Sequence, residues 1–411
     1  SRVPQSQKQR FIPHQKLAFV KKAIDELNSA GIIKKVRTWR TCSNMILVPK
    51  YKTVRCNTKA DALRVDPSQI RAYRICVDLR NLNEALTVKC SSLSQPPEKL
   101  ILPLANKLVT NLDICQAYFS IPLEAESQSL TAFYVEQNVY DFNRLSQGLL
   151  PAPRIYDCFN EIIYDNELLP EAASAALYKD TYDTPLTWEE FLLKYMDDSW
   201  NYTEFDFLKH LFYLEMQFYA LARAGLKLSP HKCIIASTQV KVLGLQLDTL
   251  NATLTMDNLK ALSILSWPDP QSCFEVHSRL YSLLYYAKFL PKIKELSLPL
   301  QELLRKKEFY WGDKQRQAWE EIKLLILLDL QLFIPSPEDQ LYLITDASKI
   351  SCASMLCVEK EGSLKIVASD STIFNYCDSL KSPFIKEAIG LMRGLKKFQS
   401  YFGSSSKPVI I

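Results

Sequence analysis

Two adjacent acids, Asp197 and Asp198, stand in the tetrapeptide Tyr195-Met196-Asp197-Asp198, between the apolar run Phe191-Leu192-Leu193 and the aromatics Trp200 and Tyr202. Successive side chains on a strand point to opposite faces. Neighbouring carboxylates therefore converge on one spot only where the backbone turns, and Leu193 to Tyr202 reads as a β-hairpin with the acids at its tip. Carboxylates brought together repel unless a cation lies between them. Mg²⁺ is the simplest such cation, because it prefers carboxylate oxygen and keeps coordination sites open for substrate phosphates.

A third acid, Asp113, ends an apolar strand in Leu112-Asp113-Ile114-Cys115-Gln116-Ala117-Tyr118-Phe119-Ser120-Ile121-Pro122-Leu123, with a tyrosine five residues on. Leu145-Ser146-Gln147-Gly148 lies between the two acidic sites, and Asp78-Leu79-Arg80-Asn81-Leu82-Asn83 lies upstream. Leu226 to Cys233 and Leu243-Gly244-Leu245 follow downstream. In this order and spacing the set resembles the polymerase motifs of retroviral and LTR-retrotransposon reverse transcriptases, with the closest match to gypsy-type elements. The resemblance covers nearly the whole chain. It implies an α+β fold: a right-hand polymerase of fingers, palm and thumb, then a helical connection and a partial RNase H-like α/β domain. The implied boundaries are 1–250 for fingers and palm, 251–335 for thumb and connection, and 336–411 for the RNase H-like part.

Function follows from the same resemblance: RNA-directed, and also DNA-directed, DNA synthesis that extends a primer with dNTPs and releases pyrophosphate. Two Mg²⁺ ions about 3.5–4 Å apart can deprotonate the 3′-hydroxyl and stabilise the leaving group; Mn²⁺ is the substitute. Asp113 and Asp197 would bridge the metals, Asp198 would complete the site with less direct contact, and the main-chain carbonyl of Ile114 would be a further ligand. Tyr118 would pack under the incoming sugar and exclude a 2′-hydroxyl. Gln147 and Met196 would touch the nucleotide, and Gly148 would permit close backbone approach. Arg74 would hold the triphosphate, a task suited to a bidentate guanidinium, with Lys50 or Lys52 as a second cation. Lys232 resembles the lysine that protonates the leaving pyrophosphate. Lys50, Asp78, Arg80, Gly148 and Gly244 would lie along template and primer, with Val242 to Leu245 as the primer grip.

Asp346 and Glu387 resemble the first two acids of an RNase H site, which also uses two metals. Serine stands at 146 where the family often has proline, and Ser351 and Ala353 stand where it usually has glycines. The sequence stops at Val409-Ile410-Ile411, where the next strand should deliver a third acid, so the RNase H site as given is incomplete. Implied partners are an RNA template, a DNA template, a primer strand, an RNA–DNA hybrid and dNTPs, with a second copy or other polyprotein segments as protein partners. The implied location is a virus-like particle or ribonucleoprotein in the cytoplasm, or the nucleus.

Two other readings compete. A silent scaffold using the same shape to hold nucleic acid would have lost a catalytic acid, whereas all three are present. An RNA-dependent RNA polymerase usually shows glycine before the acidic pair and lacks the aromatic gate; Met196 and Tyr118 oppose it.

Composition is consistent with these motifs. The 411 residues are 47% hydrophobic and 23% charged, enough to bury real cores. No apolar run is long enough to span a membrane. Eleven scattered cysteines without a C-x-x-C pair, and only four histidines, argue against a zinc site or a disulfide framework. Charge is unevenly placed: residues 1–60 carry 14 Lys or Arg and two acids, a local +12 against +5 for the chain, as a polyphosphate partner requires.

The elements that must position the motifs are also legible. Leu17, Val20, Ile24 and Leu27 recur at helical spacing, with Gly31 as the stop. Met45 to Val48 and Tyr73 to Val77 read as strands joined by a long polar insertion, 51–71; the family usually joins them more tightly. Ile155 to Ile163 and Leu208 to Ala224 read as helices, and Gly244 as the centre of a second hairpin. Residues 161–206 hold 12 acids and two lysines and include an extra stretch, about 166–185, read as a surface insertion. Residues 257–330 read as all-helical, with Trp267-Pro268-Asp269-Pro270 as a break. Gln340 to Ser348 reads as a buried strand ending in an acid, and Phe384 to Phe398 as a helix with Glu387 in its first turn.

Overall fold

The structure, a computed structural model, describes residues 3–49, 73–86, 97–290, 292–306, 309–328 and 330–411. The polar insertion at 51–71, with Lys50 and Lys52, lies outside the described residues. The chain packs into two compact units: Ser1–Ser94, Asn111–Trp200 and Leu211–Cys233 form one, and Gln95–Thr110, Asn201–His210 and Ile234–Ile411 form the other. This division by packing is of a different kind from the division by motif at 250 and 335. Among the described residues, no helix is long and apolar enough to cross a membrane.

Strands β1 (Ile33–Val36), β2 (Cys42–Pro49), β3 (Tyr73–Val77), β4 (Leu108–Asp113), β5 (Ala132–Val135), β6 (Asn138–Phe142), β7 (Leu192–Tyr195) and β8 (Asp198–Thr203) follow in chain order, with β4 and β8 running on from one unit to the other. In the first unit five of them form a sheet in the order β1-β6-β5-β2-β3. The two strands expected around Met45 and Tyr73 pair antiparallel from Met45↔Val77 to Pro49↔Tyr73. The expected N-terminal helix is Leu17–Ser29. It ends where Gly31 takes φ +67° and the Ile32 N–H reaches back to the Leu27 carbonyl at 3.0 Å, a turn that glycine makes without strain. Its apolar face, Phe19, Val20 and Ile24, is buried against Ile33, Tyr73, Phe133 and Phe142. Each such side chain contributes roughly 1.5–3 kcal/mol by leaving water.

A second core backs the acidic hairpin. Tyr156 and Ile163 of helix Ala152–Ile163 meet Leu112 of β4, Phe212 and Met216 of helix Phe207–Arg223, and the aromatics Trp188 and Phe191. The stretch at 166–185 differs here from the sequence expectation. It contains a short helix, Leu169–Ala175, that buries Leu169, Ala172 and Ala173 in this same core, with Ala176 just after it. The many flanking acids conceal an alanine-rich face too small to register as hydrophobic periodicity. Leu177 and Leu186 do stay exposed, as a surface insertion would have them.

In the second unit β9 (Ile234–Ser237) runs beside the start of β4, where the Ala236 N–H donates to Thr110 Oγ1 at 2.9 Å. His210 is fully buried between Thr110 Oγ1 at 2.7 Å and Thr203 Oγ1 at 3.0 Å. Burial pushes its pKa down to about 4. An antiparallel meander follows: β10 (Gln239–Val242), β11 (Leu245–Asp248), β12 (Thr253–Met256) and β13 (Leu332–Phe333). Between its last two strands the segment is helical as expected, and the Pro268–Pro270 region separates helices Asn258–Leu265 and Cys273–Leu284.

Strands β14 (Leu341–Ala347), β15 (Ser351–Lys360) and β16 (Ser363–Ile373) form an antiparallel sheet with helix Pro383–Lys397 on one face. At Gly394 an added Cβ would lie 2.9 Å from Ser354 Oγ, so glycine is what lets helix and sheet meet. The helix covers only one face, so β14 alternates where a strand buried throughout was expected: Leu341 and Leu343 are buried and Ile344 is exposed. Ile410 makes an isolated parallel bridge with Tyr342 of β14.

Two outcomes test this packing. Replacing Ala172 with Asp buries an unpaired charge and should cost about 3–5 kcal/mol in urea unfolding; a variant within 1 kcal/mol of the parent would place the helix at the surface after all. His210 binds its proton less readily folded than unfolded, so its contribution to stability is complete above about pH 6.5 and is lost as pH falls through about 4. His210→Gln should therefore flatten the rise of unfolding free energy between pH 4 and 6.5, and an unchanged slope would assign that rise to other groups.

Candidate active site

The three acids come from two strand ends of the first unit. Asp113 closes β4, and Asp197 and Asp198 occupy the tip and first residue of the β7–β8 hairpin. The two-residue loop puts Met196 at φ +53°, a region where a side chain costs of order 1–3 kcal/mol. That geometry breaks the alternation of the strand and brings both carboxylates toward Asp113. The proximity is visible in the titration of Asp198: burial first, then the charges of Asp197 and Asp113, push its pKa up to about 6, and Lys232 draws it back.

The segment Leu226 to Cys233 zips onto the end of β4. Ile114 and Leu228 form an antiparallel bridge, and the Ser229 N–H donates to the Asp113 carbonyl at 2.9 Å. A 3₁₀ turn at Pro230–Lys232 then aims Lys232 back, with Nζ 3.0 and 3.2 Å from the two carboxylate oxygens of Asp113. Cys233 stands beside them, its sulfur accepting the Asp113 N–H at 3.4 Å. Among the described residues, no group of three or more His, Cys, Asp or Glu side chains is arranged to hold a metal ion as it stands. Asp198 senses the charges of the other two acids, and the Lys232 ammonium sits on Asp113.

Tyr118 follows Asp113 through a sharp turn: Gln116 has φ +53° and begins a 3₁₀ turn, Ala117–Ser120. The ring of Tyr118 rests against Tyr156, centroids 5.3 Å apart, and Tyr156 is fully buried. Burial and then the charge of Asp197 raise the Tyr118 pKa, so its hydroxyl stays neutral and its ring lies within electrostatic reach of the acids.

Gln147 and Gly148 are exposed at the turn after β6, and Gly148 takes φ +95°. Asn83 clamps this turn: its Nδ2 donates to the Gly148 carbonyl at 2.9 Å and its Oδ1 accepts the Leu150 N–H at 2.8 Å. Asn83 was legible only as the last letter of a motif. A second support was missed entirely. Asn160, on helix Ala152–Ile163, donates through Nδ2 to the Met196 carbonyl at 3.0 Å. Gln217, fully buried, donates to Ser199 Oγ at 3.0 Å beneath Asp198. Amides scattered at positions 83, 160 and 217 carry no spacing signal, and only the fold shows what they hold.

Other expected site residues have their own local settings. Asp78 and Arg80 satisfy each other through a two-pronged contact of 2.7 and 2.6 Å, and that partner holds the Asp78 carboxyl below its usual range. Arg74 is exposed on β3, the edge strand of the five-stranded sheet. Gly244 lies in the second unit at the β10–β11 turn, with φ +77° after Leu243 at +49°, the pair of positive values that a tight hairpin demands. The Tyr285 hydroxyl donates to the Leu243 carbonyl of that turn at 2.5 Å. Asp346 and Glu387 also lie in the second unit. The helix starts at Pro383, one residue earlier than expected, so Glu387 falls just past its first turn, and its Oε1 accepts the Ala347 N–H at 3.2 Å, next to Asp346.

Residues 57–247 match the family model "Reverse transcriptase (RNA-dependent DNA polymerase)", and residues 311–411 match "RNase H-like domain found in reverse transcriptase". The retrovirus-related Pol polyprotein from transposon 297 of Drosophila melanogaster is 26% identical over 348 residues, covering 82% of this chain and 29% of that protein. The transposon Tf2-3 polyprotein of Schizosaccharomyces pombe is 24% identical over 389 residues, covering 93% of this chain and 26% of that protein. The chain thus spans less than a third of these relatives. Among solved structures, the foamy viral protease-reverse transcriptase dRH in complex with double-stranded DNA matches the whole chain and 64% of its own, at TM-score 0.76 and 20% identity. The foamy viral protease-reverse transcriptase in complex with an RNA/DNA hybrid matches at TM-score 0.75 and 20% identity, over the whole chain and 49% of its own. This likeness establishes the right-hand polymerase fold with a following RNase H-like part. The chain carries a reverse transcriptase domain followed by an RNase H-like domain and is similar over most of its length to the polyproteins of gypsy-type LTR retrotransposons.

Proposed function

We propose that this chain is an RNA-directed and DNA-directed DNA polymerase that extends a primer with dNTPs. The observation that carries the reading is the convergence of Asp113, Asp197 and Asp198 from two strand ends, where burial, and then the charges of Asp197 and Asp113, raise the pKa of Asp198 to about 6. Three hard oxygen donors with mutual repulsion suit divalent cations, so the donor chemistry fits Mg²⁺ or Mn²⁺. Asp113, Asp197, Asp198 and the Ile114 carbonyl would hold two ions. Such ions, when bound, activate the 3′-hydroxyl and stabilise the pyrophosphate. Lys232 must leave the Asp113 carboxylate for that to happen, and the freed ammonium is the group we assign to protonate the leaving pyrophosphate.

The remaining residues orient the substrate. Tyr118, backed by the rigid Tyr156 ring, presents a wall that a deoxyribose clears and a ribose does not. Gln147 and Met196 meet the nucleotide, and Arg74 meets its phosphates. Asp78, Arg80 and Gly148 of the first unit contact RNA or DNA template and primer, and Gly244 of the second unit contacts the primer. Asp346 and Glu387 would serve RNase H cleavage of an RNA–DNA hybrid in a longer protein, within a particle or ribonucleoprotein in the cytoplasm or nucleus.

Two experiments decide the main points. Asp113→Asn and Asp197→Asn should each reduce primer extension on an RNA template by at least about 10³-fold, yet leave template–primer affinity within threefold, because phosphate contacts dominate binding. Substantial extension by either variant at normal Mg²⁺ would remove the two-metal assignment. Tyr118→Val should lower the ratio of kcat/KM for dNTP over the matching NTP by roughly 10–100-fold, the reach of a steric pocket. An unchanged ratio with activity intact would make Tyr118 a packing residue.

A further inference from the structure

We infer that Asn160 is a positioning residue of the polymerase centre, fixing the peptide plane that leads into Asp197. The inference rests on the polymerase reading above. Met196 sits at φ +53° in the hairpin loop. A side chain stays in that region only where its surroundings over-determine it. The Met196 carbonyl belongs to the planar peptide whose other end is the nitrogen of Asp197, so holding that oxygen also fixes the direction from which the Asp197 backbone departs. Asn160 Nδ2 holds it at 3.0 Å.

The anchor itself is stiff. Asn160 is 7% exposed, and its helix is seated in the core through Tyr156 and Ile163. Helix Ala152–Ile163 also carries the ring that backs Tyr118. One rigid element therefore sets both the acidic turn and the expected sugar gate. A water molecule could replace the hydrogen bond of Asn160, but not its direction. Asn160 reaches the acids only through the backbone, so its effect should fall on turnover and metal affinity and spare substrate binding.

The test compares Asn160→Leu and Asn160→Asp with the parent, each alone and with Met196→Gly, which frees the turn of its need for support. Readouts are thermal stability, template–primer affinity, kcat and KM for dNTP, Mn²⁺ binding by electron paramagnetic resonance, and hydrogen exchange of Tyr195 to Asp198. We expect kcat to fall 10–100-fold with KM and template–primer affinity within twofold. Mn²⁺ binding should weaken several-fold, and exchange in the turn should quicken at least tenfold while that of strands β1 to β3 is unchanged. The loss from Asn160→Leu should shrink at least threefold in the Met196→Gly background. A kcat within twofold of the parent, or the same loss in both backgrounds, overturns the inference. Should Asn160→Leu fail to fold, Asn160→Asp, of the same shape but unable to donate when ionised, decides it. If the parent itself extends no primer, the polymerase reading falls, and the exchange and Mn²⁺ data still judge the role of Asn160.

Discussion

Mutual repulsion among Asp113, Asp197 and Asp198 is the constraint to which the rest of the first unit answers. Three carboxylates at two strand ends push apart unless both backbones are held from behind. β4 is held by the strand-like return of Leu226 to Ser229, the hairpin by amides from two helices. The aromatic core of Trp188, Phe191, Tyr156 and Phe212 supplies the stiffness beneath. Lys232 relieves part of the strain at Asp113, but a single ammonium cannot balance three acids. The incomplete neutralisation leaves a site ready for further positive charge.

The acids themselves were the most legible part of the sequence, because chemistry demands particular residue types there. Asp197 and Asp198 betray a turn by adjacency alone, and Asp113 marks a strand end by the apolar run before it. Large elements with strong periodicity, such as Leu17–Ser29 and Phe207–Arg223, were equally plain. Turns were readable where glycine forces them, at Gly31, Gly148 and Gly244.

What stayed hidden has a common physical character. Asn83, Asn160 and Gln217 act on backbone or hydroxyl groups far along the chain, and a single buried amide leaves no pattern in a linear sequence. The helix Leu169–Ala175 buries alanines, whose small side chains scarcely distinguish a core face from a loop. β14 was read as buried throughout because Leu341, Leu343 and Ile344 are all apolar; only the position of helix Pro383–Lys397 on one face decides which of them meets water.

The interleaving of the two units bears on how the chain is made. Gln95–Thr110 and Asn201–His210 pack with Ile234–Ile411, although stretches of the first unit lie between them in sequence. During synthesis these two stretches emerge well before the segment that shelters them. Thr110 and Thr203 must wait in an unfinished chain, and the first unit cannot close until Cys233 has been added. Pairings across such sequence separations are slow to form and keep strand edges exposed. Biogenesis should accordingly be the vulnerable period of this protein: a ribosome pause between Thr110 and Cys233 holds open β4, the strand that ends in Asp113.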